Sequence, residues 1–409
     1  MKPRTPLARS LIDARARTDT LFGLLRPDAF YERPIPERHR IIFYLGHLEA
    51  FDWNQIGQGA LGLKSLHASF DQLFAFGIDP PVGRMPDDKA SDWPAVKEVI
   101  SYNQRVRQTL DDVLDRAPEQ SLHVAVEHRL MHAETFAYIL HQAPQHHKLA
   151  PHTRPHLAGF ASDHAMIEIP AGPVTLGRPR HDGFGPDGSF GWDNEFDEHT
   201  VHVPAFAISK HKITNGEYLE FVRAGAKPPP FWTQRGDQWC WRAMAGTIPL
   251  PLDWPVYVTY EQALAYAKWV GKTLPTEAQF HRAACGSPTG DERVYPWGNE
   301  PPDERRGNFD FRHWDPIPVT ATPLGDSAFG VSQLVGNGWE WTTTPFQPFP
   351  GFQPFPFYPG YSAPFFDGEH FVLKGASPRT AARLLRRSFR NWFRPNYPYV
   401  YAGFRCVDI

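Results

Sequence analysis

Two histidines one helical turn apart, His128 and His132 in EHRLMHAETF, and a third, His47 in FYLGHLEAFDWN, are the residues best placed to do chemistry in this chain. Four residues along an α-helix bring two side chains to one face, so His128 and His132 can present imidazole nitrogens to a single ion. His47 on a neighbouring helix would complete a three-nitrogen set with positions open for substrate and dioxygen. Among 19 histidines in 409 residues, chance supplies roughly 0.9 His-x-x-x-His pairs, so the pattern needs context. The first pair has it: Leu122, Val126, Leu130, Ala133, Ala137 and Leu140 recur at helical spacing around it. A second pair, His152 and His156, encloses Pro155, which forbids a regular helix. Arg129 stands where a zinc protease carries its general-base Glu, which disfavours hydrolytic zinc chemistry. On spacing alone, the pair fits a metal site and two ordinary partly buried histidines equally well.

A chain of 409 residues is too long for one core, and two domains are expected. Net charge is −3 with no basic stripe, which excludes nucleic acid as an expected partner. Cys240, Cys285 and Cys406 are few and widely spaced, the usage of a reducing compartment without a disulfide framework. The N-terminus lacks the apolar core of a signal peptide, and no apolar run approaches the roughly 20 residues of a membrane span. A cytoplasmic protein without an obligate protein partner is expected.

The texture changes near residue 150. Four amphipathic helices are predicted in SLIDARARTDTLFGLL, HRIIFYLGHLEAFDWNQI, DWPAVKEVISYNQRVRQTLDDVLDRA and SLHVAVEHRLMHAETFAYILHQA, as an antiparallel bundle over 1–145. A Pro- and His-rich stretch over 146–160, with His146 and His147, reads as a linker. Over 161–409 short strands, aromatic turns and Gly/Pro abound. MIEIPAGPVTLG reads as a β-hairpin, and HTVHVPAFAISKHKITNGEYLEFV as a strand pair entering a helix capped near Thr214 or Asn215. YEQALAYAKWVG reads as an amphipathic helix ending at Gly271.

IPAGPVTLG, KHKITNGEYLEFV, KTLPTEAQFHRAA, YPWGN, LVGNGWEWT and FRNWFRPNYPYVYAGFRC follow one another in the second half. In that order they resemble the landmarks of the formylglycine-generating-enzyme-like domain, an irregular α+β, C-type-lectin-like fold. The first half resembles a DinB-like four-helix bundle, with His47 in YLGHLEAF and a His-x-x-x-His-x-Glu signature at His128, His132 and Glu134. The fold class so implied is a helical bundle followed by an irregular α+β domain. Together the halves resemble the sulfoxide synthases of ergothioneine biosynthesis. The resemblance implies an oxidoreductase with non-haem Fe(2+) on His47, His128 and His132, which uses dioxygen to couple a chalcogen to C2 of the imidazole of hercynine (trimethylated histidine). Glu134 is expected to orient a ligand ring or a bundle helix.

The donor side departs from the mycobacterial pattern, which clamps the carboxylates of γ-glutamylcysteine with arginines. In the loop FDQLFAFGIDPPVGRMPDDKASDWP, Arg84 is the only basic residue before Lys89. Asn391 and Trp392 match family positions at the imidazole-substrate pocket, but Phe393 and Tyr397 replace an expected Asp and Arg, and Met131 replaces a Gln. A dicarboxylate donor would lack charged partners there, whereas a sugar stacks on aromatic rings. The pattern most resembles the selenoneine-synthase branch, which joins a selenosugar to hercynine through a selenoxide intermediate. The alternative is an ergothioneine-type enzyme using cysteine or γ-glutamylcysteine.

Residues 345–366 hold seven prolines and nine aromatics in 22 positions, read as a rigid active-site wall. Tyr358 and Tyr361 are candidates for the proton-donating tyrosine that the resemblance implies. Trp339 and Trp341 read as structural, and Arg390 and Arg405 suit either a carboxylate ligand or buried pairing. A true formylglycine-generating enzyme would need paired cysteines near the C-terminus, and Cys406 has no such neighbour. A non-catalytic lectin-like module would hold no stoichiometric iron.

Overall fold

A computed structural model describes residues 5–77, 85–149, 165–180 and 190–408, in two compact units, Met1–His152 and Thr153–Ile409. The first contains helices α1 (Pro6–Phe22), α2 (Ile41–Asp52), α3 (Ala68–Phe76), α4 (Val96–Asp111) and α5 (Glu119–Gln142). Thr5 Oγ1 accepts the Ala8 N–H at 3.2 Å and Pro6 opens the first turn of α1. Instead of being amphipathic, α2 is buried at every residue except Leu45. Its IIFYLGHLEAFD sequence is apolar nearly all round, so it becomes the central helix, packed on α3, α4 and α5. It runs on into a π-helical segment, Trp53–Ala60.

Two expectations change here. The start of the stretch read as a loop after the second helix, residues 70–76, belongs to α3, whose nine residues are too few for periodicity to stand out. His146 and His147, expected in the linker, lie in a single turn, Gln145–His147, that docks on the first unit. Arg26 N–H donates to the His147 carbonyl at 2.9 Å and Leu149 N–H to that of Leu24 at 2.6 Å.

In the second unit the predicted hairpin does not form. Strands β1 (Met166–Ile169) and β2 (Gly172–Leu176) do not pair with each other; β1 pairs with β4 (Phe206–Ser209), and β2 with β3 (His199–Val203). The two stretches make one antiparallel ribbon interrupted at Pro170–Ala171 and Pro204–Ala205. Proline has no N–H for the ladder, so the break falls where both prolines stand. Phe280, Ala283 and Ala284 pack on Ile169, Val174, Val203, Phe206 and Ile208 of this ribbon. Burying each large side chain contributes roughly 1.5–3 kcal/mol.

Helices α6 (Asn215–Arg223), α7 (Tyr260–Trp269) and α8 (Glu277–Cys285) each begin with a threonine capping box, at Thr214, Thr259 and Thr276. Strands β5 (Trp232–Arg235), β6 (Gln238–Ala243) and β7 (Gly246–Pro249) form one antiparallel sheet. The remaining strands are β8 (Gly338–Pro345), β9 (Phe371–Ala376), β10 (Asn391–Phe393), β11 (Ala402–Gly403) and β12 (Val407–Asp408). A sheet in the order β10–β9–β8–β11 carries Asn391 and Trp392 on its edge strand. Arg405 and Arg390, ambiguous in sequence, serve the fold. Arg405 is fully buried and pairs with Glu340 at 2.6 Å, and Arg390 pairs with Glu277 at 3.0 Å. Trp341, also fully buried, donates its indole N–H to Val258 O. Among the described residues no helix is long and apolar enough to cross a membrane, and the three cysteines are free and buried.

Candidate metal centre

His47 projects from α2, and His128 and His132 from adjacent turns of α5. One ligand nitrogen from each lies within 4.8 Å of the other two. Ring centroids are 5.2 Å apart for His47–His128, 4.8 Å for His47–His132 and 4.3 Å for His128–His132. Aromatic rings pin two of them. Phe51 stacks on His128 at 3.4 Å and 6°, and Phe43 on His47 at 4.7 Å and 26°.

A backbone carbonyl of α3 sets the tautomer of His47. Its Nδ1 lies 2.6 Å from the Phe74 carbonyl, which only accepts, so Nδ1 carries the proton and Nε2 keeps its lone pair. Gly46 makes this approach possible, since a Cβ there would meet the Phe74 ring at 2.5 Å. His132 Nδ1 is buried without a hydrogen-bond partner among the described residues. Burial pushes His47 down to about 4. Burial and then the neighbouring imidazoles hold His128 and His132 well below the usual histidine range. Three neutral imidazoles, one with its tautomer set from behind, are a donor set that fits a first-row divalent metal.

A buried ion network ties the same two helices together. Arg129, fully buried beside His128, bonds Asp52 at 2.7 Å, Glu49 at 2.9 and 3.0 Å, and the Leu48 carbonyl at 2.9 Å. Arg107 of α4 reaches Glu49 at 2.6 Å, and Arg15 of α1 lies 3.6 Å from Asp52. Burial alone would raise the Glu49 carboxyl, but Arg129 and Arg107 outweigh it and hold it at about 2. Sequence reading noted Arg129 only for the Glu it replaces. The available signal was two carboxylates, Glu49 and Asp52, inside an otherwise apolar helix.

Of the other candidates, Met131 is half-buried on α5, Glu134 is buried on the same helix, and Arg84 lies outside the described residues. In the second unit Trp392 stacks on Phe346 at 4.2 Å and 7°, and the Tyr361 ring meets Trp392 edge-on at 5.6 Å. Asn391 Oδ1 accepts the Trp392 backbone N–H at 2.9 Å. Tyr358 lies 5.8 Å from Tyr361, and burial pushes its phenol up to about 12. Phe393 and Tyr397 stack on each other at 5.2 Å and 10°, both partly exposed. The buried run Trp192, Asp193, Asn194 and Glu195, beside Tyr361, went unnoticed in sequence because nothing local says that four such residues are interior.

The family pattern described as DinB superfamily matches residues 10–166, and that of the sulfatase-modifying factor enzyme 1-like domain matches 155–408. A hercynine oxygenase of Mycolicibacterium thermoresistibile is 34% identical over 441 residues, covering 99% of this chain and 95% of the relative. The chain belongs to the hercynine oxygenase family. A second hercynine oxygenase, of Mycolicibacterium smegmatis, is 34% identical over 75% of this chain and 77% of its own. Ergothioneine biosynthesis protein 1 of Neurospora crassa is 27% identical over 94% of this chain and 55% of its own length. As a member of the hercynine oxygenase family the chain is an oxidoreductase, with a DinB helical bundle followed by a formylglycine-generating-enzyme-like, sheet-rich domain.

The histidine cluster carries a pH signature. Between an unfolded value of 6.5 and about 4 for His47, the unfolded chain binds a proton that the folded chain refuses. Stability is therefore full above pH 6.5 and is lost as acid carries the chain toward pH 4. His47 alone accounts for a loss on the order of 3 kcal/mol across that window. Urea midpoints of metal-free protein, followed by helical circular dichroism, are expected to fall steadily over this range; a flat profile contradicts the burial argument.

Proposed function

We propose that the chain binds iron(II) through His47, His128 and His132 and couples a sulfur donor, cysteine or γ-glutamylcysteine, to C2 of the hercynine imidazole, forming a sulfoxide. The observation that carries the iron reading is the cluster of three neutral imidazoles, two of them buried and His132 half-buried; similarity to hercynine oxygenases supports the acceptor and the sulfur chemistry. Iron(II) held there would supply redox chemistry with dioxygen. Around it, Phe43 and Phe51 keep the ligand rings oriented and apolar, and the Phe74 carbonyl holds the His47 proton on Nδ1. In the second unit, Asn391 and Trp392 are assigned to the acceptor. Tyr358 is assigned as proton donor with Tyr361 as the other candidate, since a phenol held near pKa 12 stays protonated until a strong base forms beside it.

A second reading rests on Phe393 and Tyr397. Their stacked, partly exposed rings offer a sugar face a platform where the mycobacterial pattern has charges, which favours a selenosugar or thiosugar donor and a selenoneine product. Similarity to a hercynine oxygenase and to ergothioneine biosynthesis protein 1 supports the sulfur reading better. Anaerobic loading with iron(II), then air with hercynine and each donor in turn, read by mass spectrometry, separates them. Coupling to cysteine or γ-glutamylcysteine is expected; coupling to the selenosugar alone moves the chain to the second reading. In the same assay, Tyr358→Phe is expected to divert product from the sulfoxide toward donor oxidation, and an unchanged spectrum transfers the role to Tyr361.

A further inference from the structure

A cleft in the second unit opens between α8, residues 294–296 and β9. His281 and Cys285, one helical turn apart on α8, line it together with Lys374 and Arg387. Its interior has room for roughly two water-sized groups, about the bulk of one carboxylate. Exposed Val294 and the half-buried Tyr295 ring make its mouth apolar.

The polar side chains around this space are donors. Arg387 commits Nη1 to Glu292 at 2.9 Å, and its Nε and Nη2 make no hydrogen bond among the described residues. Those two N–H groups form the edge of a guanidinium that takes both oxygens of a carboxylate. His281 is 2% exposed, yet neither ring nitrogen makes a hydrogen bond among the described residues. Burial, then Lys374 and Arg387, hold it well below the usual histidine range, so the neutral ring keeps one N–H to give.

Charge points the same way. Arg386 neutralises Glu195 at 2.5 and 2.7 Å, and Arg387 neutralises Glu292. Glu277, however, is shared by two cations, Arg390 at 3.0 Å and Lys374 at 3.8 Å. Lys374 otherwise donates only to the carbonyls of Arg387 and Phe389, at 2.9 and 2.7 Å. One positive charge is therefore in surplus beneath the cleft, and burial lowers the Lys374 ammonium in spite of Glu277. A metal ion would meet these cations, and among the described residues no third ligand joins His281 and Cys285.

We propose that this cleft binds the carboxylate of a small organic acid. Arg387 clasps both oxygens, His281 donates a further hydrogen bond, Lys374 supplies the balancing charge, and the acid's apolar end rests on Val294 and Tyr295. A phosphate dianion exceeds the single surplus charge, and a halide leaves half of the guanidinium edge unused.

Calorimetric titration of the full chain with benzoate, acetate, benzamide and chloride tests this. Benzoate is expected to bind with a Kd of about 0.1–1 mM, and acetate more weakly for want of an apolar end. Neutral benzamide and chloride should each bind at least about tenfold more weakly than benzoate. Arg387→Lys keeps the charge but loses the two-donor edge, and should weaken benzoate by about tenfold. Val294 is 49% exposed, so substitutions there leave the fold intact. Val294→Glu should weaken benzoate several-fold and Val294→Lys strengthen it, both effects fading with added salt. No benzoate binding at about 10 mM, or equal binding of benzoate and benzamide, overturns the proposal. So does chloride that matches benzoate, which makes this a halide site. Should Arg387→Lys fail to fold, the two Val294 variants decide the matter, and unchanged benzoate affinity in both places the ligand elsewhere and refutes it.

Discussion

Replacing His132 by Leu removes stoichiometric iron from the purified chain while leaving metal-free stability at or above that of the unmodified protein. The two halves of this expectation have one cause. His132 places a nitrogen in the bundle interior without a hydrogen bond among the described residues, and such a buried group costs about 1–3 kcal/mol. Leucine is similar in bulk and carries no polar atom, so the metal-free bundle loses a defect. With iron the balance reverses, because two imidazoles cannot hold what three hold. The loss of affinity should exceed the roughly 10–100-fold that follows loss of an outer-shell partner. Iron content by elemental analysis and a urea titration of metal-free protein check both halves. Retained stoichiometric iron excludes His132 as a ligand, and a large drop in metal-free stability makes it an ordinary core residue.

The second large effect belongs to Arg129, which touches no proposed ligand atom. Arg129→Met removes the cation between Glu49 and Asp52, which are 2% and 0% exposed at their side chains. Breaking a buried ion pair by deleting one partner costs about 3–5 kcal/mol. Arg107 and Arg15 still approach the stranded carboxylates, so the bundle folds but unfolds at markedly lower urea. Because Arg129 leaves α5 beside His128 and grips α2 near His47, the variant should also bind iron more weakly, by roughly 10–100-fold, with a changed spectroscopic signature of the iron–nitrosyl adduct. A cost below about 1 kcal/mol, a typical surface pair, would mean that Arg15 and Arg107 already suffice.

His128 and His132 were legible as a pair because helix periodicity is local. An i, i+4 step has one meaning in a segment as strongly patterned as LHVAVEHRLMHAETFAYIL. The caps at Thr214, Thr259 and Thr276 were legible for the same reason, since the hydroxyl and the residue three positions on face each other within one turn. The ribbon of the second unit was not. Ile169 was expected to turn back through Pro170, yet it pairs with Phe206, 37 positions away; pairing partners in a sheet are a long-range choice that adjacent residues do not encode.

Residue types and spacing thus determine the helices, their caps, the histidine pair and the two-part division of the chain, all matters of neighbouring side chains. Tertiary packing decides what burial decides. It makes α2 a central helix, brings His47 within 4.8 Å of a pair about eighty residues downstream, neutralises Glu195 and leaves Asp193 without a cation among the described residues. The physical reason is that desolvation and ion pairing depend on distances in space, and those are set only when distant segments close around the same interior.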